Sequence, residues 1–237
     1  MPRLLIVLTS HALLGDTGRP TGFHWEELAT PYWAFRDAGI EVDIASIAGS
    51  AVPHDPGSLK LEAAANPPSV NRFFADTGAM AALHHAVAVA EVDPARYEGV
   101  YLPGGHGTMW DLPRSNALAR LAGTLFDSGK VVAAVCHGPA GLVAARRADG
   151  RPVVEGRRVN AFTNAEEAAM GLTAVVPFLL ETRLRELGGV FEGGPDFRSY
   201  AVCDANLVTG QNPASAAAVA AHVIDVVRER ARLSEAG

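Results

Sequence analysis

Only two cysteines, Cys136 and Cys203, occur in the 237 residues, too few for a disulfide framework. Such a chain must fold on its apolar core, and a reactive thiol within it is best kept in a reducing compartment, so the cytoplasm is the expected location. Long apolar runs are also missing. None approaches the about 20 residues that a spanning helix needs, and the longest candidate, residues 131–145, is cut by His137, Gly138 and Pro139. The run Leu4-Leu5-Ile6-Val7-Leu8 is short and no small-residue cleavage pattern follows it, so it reads as a first strand and no membrane association is expected. Nor is there a basic surplus. The formal net charge is −6 and the basic residues are dispersed beyond pairs such as Arg146-Arg147 and Arg157-Arg158, which argues against a nucleic-acid partner. No internal repeat is evident.

What is present is apolar patterning: 49% hydrophobic against 19% charged residues, enough for one sizeable α/β core. Strand signals recur at Leu4 to Leu8, Glu41 to Ala45, Gly99 to Leu102, Val131 to Val135, Arg158 to Phe162 and Tyr200 to Val208. Helical patterns fill most of the intervals: Trp25 to Ala38, Ala79 to Val89, Ser115 to Ser128, Pro139 to Ala145, Pro177 to Leu187 and Pro213 to Arg232. The first should kink or restart at Pro31. Alternation of this kind predicts an α/β fold with a mostly parallel central sheet and helices on both faces. A single domain over 1–237 is expected, with an inserted loop or small cap at 47–75, where Gly, Pro, Ser and Ala dominate.

The sharpest local signal is Val131-Val132-Ala133-Ala134-Val135-Cys136-His137-Gly138-Pro139, an apolar strand that breaks at a cysteine and resumes as a small-residue helix. A strand that ends on a nucleophile and turns at once into a helix lifts the side chain out of the sheet and sets it over unpaired amides. Those amides favour a thiolate and can stabilise an oxyanion. A buried core cysteine is the plainer alternative for an isolated Cys, and Cys203 is read that way.

Pro103-Gly104-Gly105-His106-Gly107 follows another strand, and its end falls on the same carboxyl edge of the sheet. It lacks the Lys-Ser/Thr of a P-loop and the spacing of a dinucleotide fingerprint, so its glycines suit an oxyanion hole opposite Cys136 better than a phosphate cradle. His137 sits beside the thiol if a carboxylate orients its ring. The candidate for that acid lies in Phe162-Thr163-Asn164-Ala165-Glu166-Glu167, Glu167 being preferred over Glu166, although spacing alone favours two first-turn glutamates capped by Thr163 or Asn164. Glu26-Glu27 opens the first helix. If Glu27 points at the thiol its carboxyl is protonated, since two anions in contact in a dry site cannot both ionise cheaply, while Glu26 faces water. His84-His85 with Glu91 is a possible metal set, but helical spacing sends the two histidines to different faces and no metal is expected.

Assembled in order, Gly104-Gly105-His106-Gly107, Ala134-Val135-Cys136-His137-Gly138-Pro139 and Thr209-Gly210-Gln211-Asn212-Pro213-Ala214-Ser215 resemble the ThiJ/PfpI superfamily, the class I glutamine amidotransferase-like proteins. The likeness runs nearly end to end and is nearest to the heat-shock-protein-31 group of chaperones and glutathione-independent glyoxalases (glyoxalase III). It implies a flavodoxin-like three-layer sandwich with a nucleophile elbow. By position it puts the nucleophile on Cys136, the triad histidine on His137, the triad acid on Glu167 and the acid contacting the thiol on Glu27, with Gly104, Gly105 and His106 on the oxyanion side. One departure is Asp204-Ala205-Asn206, where relatives often carry Gly for Ala. True glutamine amidotransferases place a His-x-Glu pair late in the chain, and none lies near Gln211.

The resemblance implies a lyase of the D-lactate dehydratase type that needs no cofactor and turns methylglyoxal or another small 2-oxoaldehyde into a 2-hydroxy acid, with His137 or Glu27 moving the proton between carbons. It also implies a homodimer. Its alternatives are a holding chaperone using apolar surface near Phe73-Phe74, a deglycase-type stress protein, a peroxide sensor at Cys136, or a pathway-specific hydratase or lyase.

Overall fold

The computed structural model describes residues 1–50 and 52–235. In chain order its elements are β1 (Arg3–Leu8), α1 (Trp25–Asp37), β2 (Glu41–Ser46), α2 (Pro68–Ala75), α3 (Thr77–His84), β3 (Val87–Ala88), β4 (Gly99–Leu102), α4 (Thr108–Asp111), α5 (Asn116–Asp127), β5 (Val131–Val135), β6 (Arg158–Val159), α6 (Asn164–Ala169), α7 (Leu180–Glu186), β7 (Val190–Phe191), β8 (Ala201–Asp204), β9 (Leu207–Gly210) and α8 (Ala216–Glu235). Seven strands form one sheet in the order β3-β2-β1-β4-β5-β9-β8, parallel except for the β8–β9 hairpin. This is the flavodoxin-like α/β architecture expected. Strand direction fixes where chemistry can occur, because β1, β4 and β5 all end on one edge and the chain order reverses beside β1.

Period-two alternation splits the core into two layers. Leu4, Ile6 and Leu8 of β1 pack with α1, α2 and α8, whereas Leu5 and Val7 face α5 and the turns after β5. Strands buried on both faces read as continuous apolar runs, as β1 and β5 do.

Helix α1 runs unbroken through Pro31, so it does not restart there. A proline in mid-helix lacks the N–H that would bond the carbonyl four residues back. Here that carbonyl belongs to Glu27, and the buried Tyr101 hydroxyl donates to it at 2.9 Å. The orphaned acceptor is thus satisfied from β4, a partner 74 residues away.

Other expectations are corrected by the observed pairing. Arg158 to Phe162 is not a strand of the main sheet: only Arg158–Val159 pairs, with β7 in a separate ribbon, while Asn160 and Phe162 donate their N–H groups to Thr209 Oγ1 and the Cys136 carbonyl. Residues 138–145 form no α-helix either. Gly138–Leu142 makes 3-10 turns, wedged so closely against β4 that a Cβ on Gly138 would lie 2.0 Å from the Leu102 carbonyl. Helix α3 ends at His84, and Val87–Ala88, expected to be helical, forms the sheet's edge strand. Tyr200 to Val208 is a hairpin, its two-residue turn placing Ala205 at φ +54°. Helices α7 and α8 start at Leu180 and Ala216, later than their prolines suggest. In the 47–75 segment, α2 packs on α1 and buries Phe73 completely against Trp25 and Tyr32, leaving Phe74 as the exposed member of that pair. Cys203 is partly buried at the edge of the core.

Two predictions follow from these backbone facts. Tyr101→Phe leaves the Glu27 carbonyl unpaired and costs about 1–3 kcal/mol by urea unfolding, and most of that loss disappears in a Pro31→Ala background, where residue 31 regains its N–H; an undiminished loss contradicts this origin. Ala205→Gly relieves a left-handed conformation and stabilises by about 1 kcal/mol, and an unchanged or lower urea midpoint refutes it.

Candidate active site

The elbow expected after β5 is real. Cys136 has φ +59°, a conformation that L residues other than Gly, Asn and Asp rarely adopt and that costs about 1–2 kcal/mol. Two backbone bonds hold it there: its N–H donates to the Gly210 carbonyl at 2.8 Å and its carbonyl accepts from Phe162 N–H at 2.9 Å. The thiol is thereby thrown clear of β5 and sits 4% exposed at the base of a pocket of about 220 Å³.

Four groups converge on that sulfur. His137 Nδ1 lies 3.3 Å from it. The Gly105 and His137 backbone N–H groups face it, and the Glu27 carboxyl lies beside it from α1. Glu27 is fully buried; its Oε2 accepts from Gly104 N–H at 2.6 Å, and its Oε1 has no nitrogen or oxygen partner. Gly104 therefore spends its N–H on orienting the carboxyl. Nothing larger fits there, since a Cβ on Gly104 would lie 2.6 Å from His137 N and 2.8 Å from Glu27 Oε2.

The far side of His137 meets a carboxylate. Its Nε2 lies 2.7 Å from Glu167 Oε2, and His106 Nε2 lies 2.8 Å from the other oxygen, Oε1. Burial alone would raise the Glu167 carboxyl, but the two imidazole N–H donors outweigh it and hold the group at about 2. Burial lowers His137 to about 4, with His106 adding to the push. A neutral imidazole whose Nε2–H faces a carboxylate keeps its Nδ1 lone pair for the thiol. The ring is fixed between His106 and Phe162, with centroids 4.0 and 4.5 Å away. Below it, the buried Thr108 hydroxyl braces the turn, 2.8 Å from the Gly105 carbonyl and 3.0 Å from that of His137.

The thiol and the Glu27 carboxyl form a coupled pair. Burial pushes Glu27 up to about 8, and burial with the adjacent carboxyl pushes the Cys136 thiol up as well. The expectation of a freely ionised thiol is corrected accordingly: near neutral pH the pair holds at most one negative charge. Donor geometry decides where that charge rests. An anionic sulfur has two amide N–H groups facing it and a neutral Glu27 beside it, whereas a Glu27 carboxylate would have one amide and a weak S–H. Once the thiol gives its proton to His137, these donors favour the charge on sulfur, while Glu27 keeps its own proton.

Glu166, the neighbour of Glu167, has a different task that the sequence half revealed. Its Oε2 closes a capping box with Thr163, while Oε1 accepts from Phe197 N–H at 2.7 Å, Asn212 Nδ2 at 2.8 Å and Gln211 Nε2 at 3.1 Å. The Thr163-x-x-Glu166 spacing signals the cap; the tie to two loops far along the chain has no local signature. Phe197, at φ +56°, is held by it over the pocket. His24, Asp55, Gly57, Ser58, Met170 and Pro213 complete the lining, and sequence reasoning assigned none of them a role in the site. Glu26 is half-buried rather than immersed in water. His84 and His85 are exposed, and among the described residues the ligand atoms that converge within 4.8 Å are those of His106, His137 and Glu167, whose mutual hydrogen bonds account for the cluster.

Because burial raises Glu27 from its ordinary 4.5 to about 8, the unfolded chain releases this proton first as pH rises. Its contribution makes native stability fall between about pH 4.5 and 8. Urea unfolding of Glu27→Gln should lose that part of the slope, so its stability declines less than wild type from pH 5 to 8; parallel curves would exclude a buried neutral acid.

Among the described residues no helix is long and apolar enough to cross a membrane. Residues 20–226 match the model of the DJ-1/PfpI family. A glutathione-independent glyoxalase of Schizosaccharomyces pombe, hsp3101, is 32% identical, the alignment covering 94% of each chain. The crystal structure of glyoxalase III from Candida albicans superposes with a TM-score of 0.87 at 28% identity over 95% of this chain and 97% of that one. The Francisella tularensis Rapid Encystment Protein 24 kDa reaches a TM-score of 0.91 at 32% identity, covering 96% and 99%. With the family model matched over most of its length, the chain belongs to the DJ-1/PfpI family.

Proposed function

We propose that this protein is a cysteine-dependent glyoxalase that converts methylglyoxal or a similar small 2-oxoaldehyde into the 2-hydroxy acid, lactate for methylglyoxal, without glutathione. The observation that carries the reading is the contact of one strained, buried sulfur with both a neutral imidazole and a carboxyl group. The names of the fungal relatives support it. A thiol supplied by the protein takes the place of a soluble one.

Cys136 is the proposed nucleophile. Its sulfur bonds the aldehyde carbon, C1, as the carbonyl pair moves to O1, and the thiol proton, relayed by His137 Nδ1, ends on O1 to give a hemithioacetal. The N–H groups of Gly105 and His137 are placed to stabilise the transient oxyanion. His137 then removes the C1 proton, the C1–C2 double bond forms and the C2 carbonyl pair moves to O2, which gains a proton while O1 gives one up as its carbonyl re-forms; Glu167 stabilises the imidazolium so formed. Returning the proton to C2 yields a thioester, C1 having been oxidised and C2 reduced within one molecule. The reaction therefore calls for no external hydride acceptor. Water cleaves the thioester, its hydroxyl going to C1 and its proton to sulfur.

The pocket suits a neutral, compact substrate. Phe162, Met170, Phe197 and Pro213 form its apolar wall, and His24, Asp55, Ser58 and His106 its polar one. Of Phe73-Phe74, which a holding chaperone would use, Phe73 is buried and Phe74 is exposed.

Purified protein should form lactate from methylglyoxal with no added thiol. Cys136→Ala should lose at least about 10³-fold in kcat/KM and Glu167→Gln about 10²-fold. Full turnover by Cys136→Ser would overturn the proposal.

A further inference from the structure

We propose that His24 is a further catalytic residue, a neutral imidazole that carries the hydroxyl proton between the two substrate oxygens while His137 moves the carbon-bound one. This inference rests on the glyoxalase reading above. His24 occupies the N-cap of α1, yet its side chain makes no capping bond. Ser, Thr, Asp or Asn would satisfy the helix's first amides at this position, so the residue present gives up helix stability. What it gains is a place in the pocket wall opposite His106 and His137.

Two unpartnered buried atoms lie side by side there. His24 Nδ1 and Glu27 Oε1 have no hydrogen-bond partner, and they lie 3.9 Å apart. With Oε2 of Glu27 held by Gly104, Oε1 is the oxygen that carries the exchangeable proton. Glu27 itself is sealed from solvent, so a proton it gives or takes must pass through sulfur or through His24. About a quarter of the His24 side chain remains exposed, and with Nδ1 buried it is the Nε2 edge that opens into the pocket. Burial, aided by the charges of His106, Lys60 and His137 and opposed by Asp55, holds the ring at about 4, hence neutral and able to act as donor on one nitrogen and acceptor on the other.

The step balances. As His137 takes the C1 proton and the C2 carbonyl pair moves to O2, His24 Nε2–H is given to O2 and Nδ1 takes the proton from Glu27 Oε1. On collapse of the enediol, the O1 proton returns to Nε2, Nδ1 returns its proton to Glu27, and C2 receives the proton from His137. Both groups end as they began.

The discriminating variant is His24→Asn, because asparagine caps helices well but cannot relay a proton between two nitrogens. A catalytic role predicts an unchanged or higher Tm together with a loss of about 10²-fold in kcat, KM within about threefold, and an iodoacetamide reaction of Cys136 unchanged from wild type. His24→Gly should lose activity to the same extent and regain at least tenfold with added imidazole. A merely structural role predicts that His24→Asn keeps full kcat, and that result overturns the inference, as does failure of imidazole to restore His24→Gly. The wild type measured alongside separates the two readings: if it forms no lactate, the glyoxalase assignment itself falls and this inference with it.

Discussion

A carboxyl and a thiol buried in contact cannot both be charged, and the neighbourhood of Cys136 is organised around that restriction. Glu27 brings its acid to the sulfur from α1, and Gly104 fixes one of its oxygens with a backbone N–H. The same residue's carbonyl, freed by Pro31, is taken by Tyr101 of β4. Helix α1 is thus pinned to the sheet through both ends of a single residue, and the pinning sets the distance between acid and sulfur.

Around this pair the fold supplies parts from separate strand ends. β4 leads into the Gly104-Gly105-His106 turn, β5 into the Cys136 elbow, and the chain following β6 into the Thr163 cap that carries Glu166 and Glu167. Adjacent glutamates divide the work: Glu166 ties three backbone regions together, while Glu167 faces two imidazoles. The strain at Cys136 and Phe197, about 1–3 kcal/mol each, is offset by these buried bonds. Strain placed where the pocket lies, with saturated hydrogen bonding beneath it, is the pattern of a preorganised site.

Much of this was legible in the sequence because its causes are local. A β-branched run that stops at Cys136, a glycine-rich turn after a second strand and the alternation of strand and helix signals each declare themselves within a dozen residues. What escaped depends on partners far along the chain. Pro31 looks like a helix breaker until Tyr101 is known to cap the free carbonyl. Arg158 to Phe162 has strand composition, yet its N–H groups go to Thr209 and Cys136. His24 carries no motif; its meaning lies in two orphaned atoms facing each other. Resemblance, rather than spacing, singled out Glu27 and Glu167, and the capping box alone would have separated Glu166 from its neighbour.

The central claim is that Glu27 keeps its proton at neutral pH so that the sulfur can hold the pair's single charge. The infrared difference spectrum between wild type and Glu27→Gln at pH 7 tests it most directly. The account predicts a protonated-carboxyl C=O band present only in wild type; an ionised carboxylate signature in its place would contradict it.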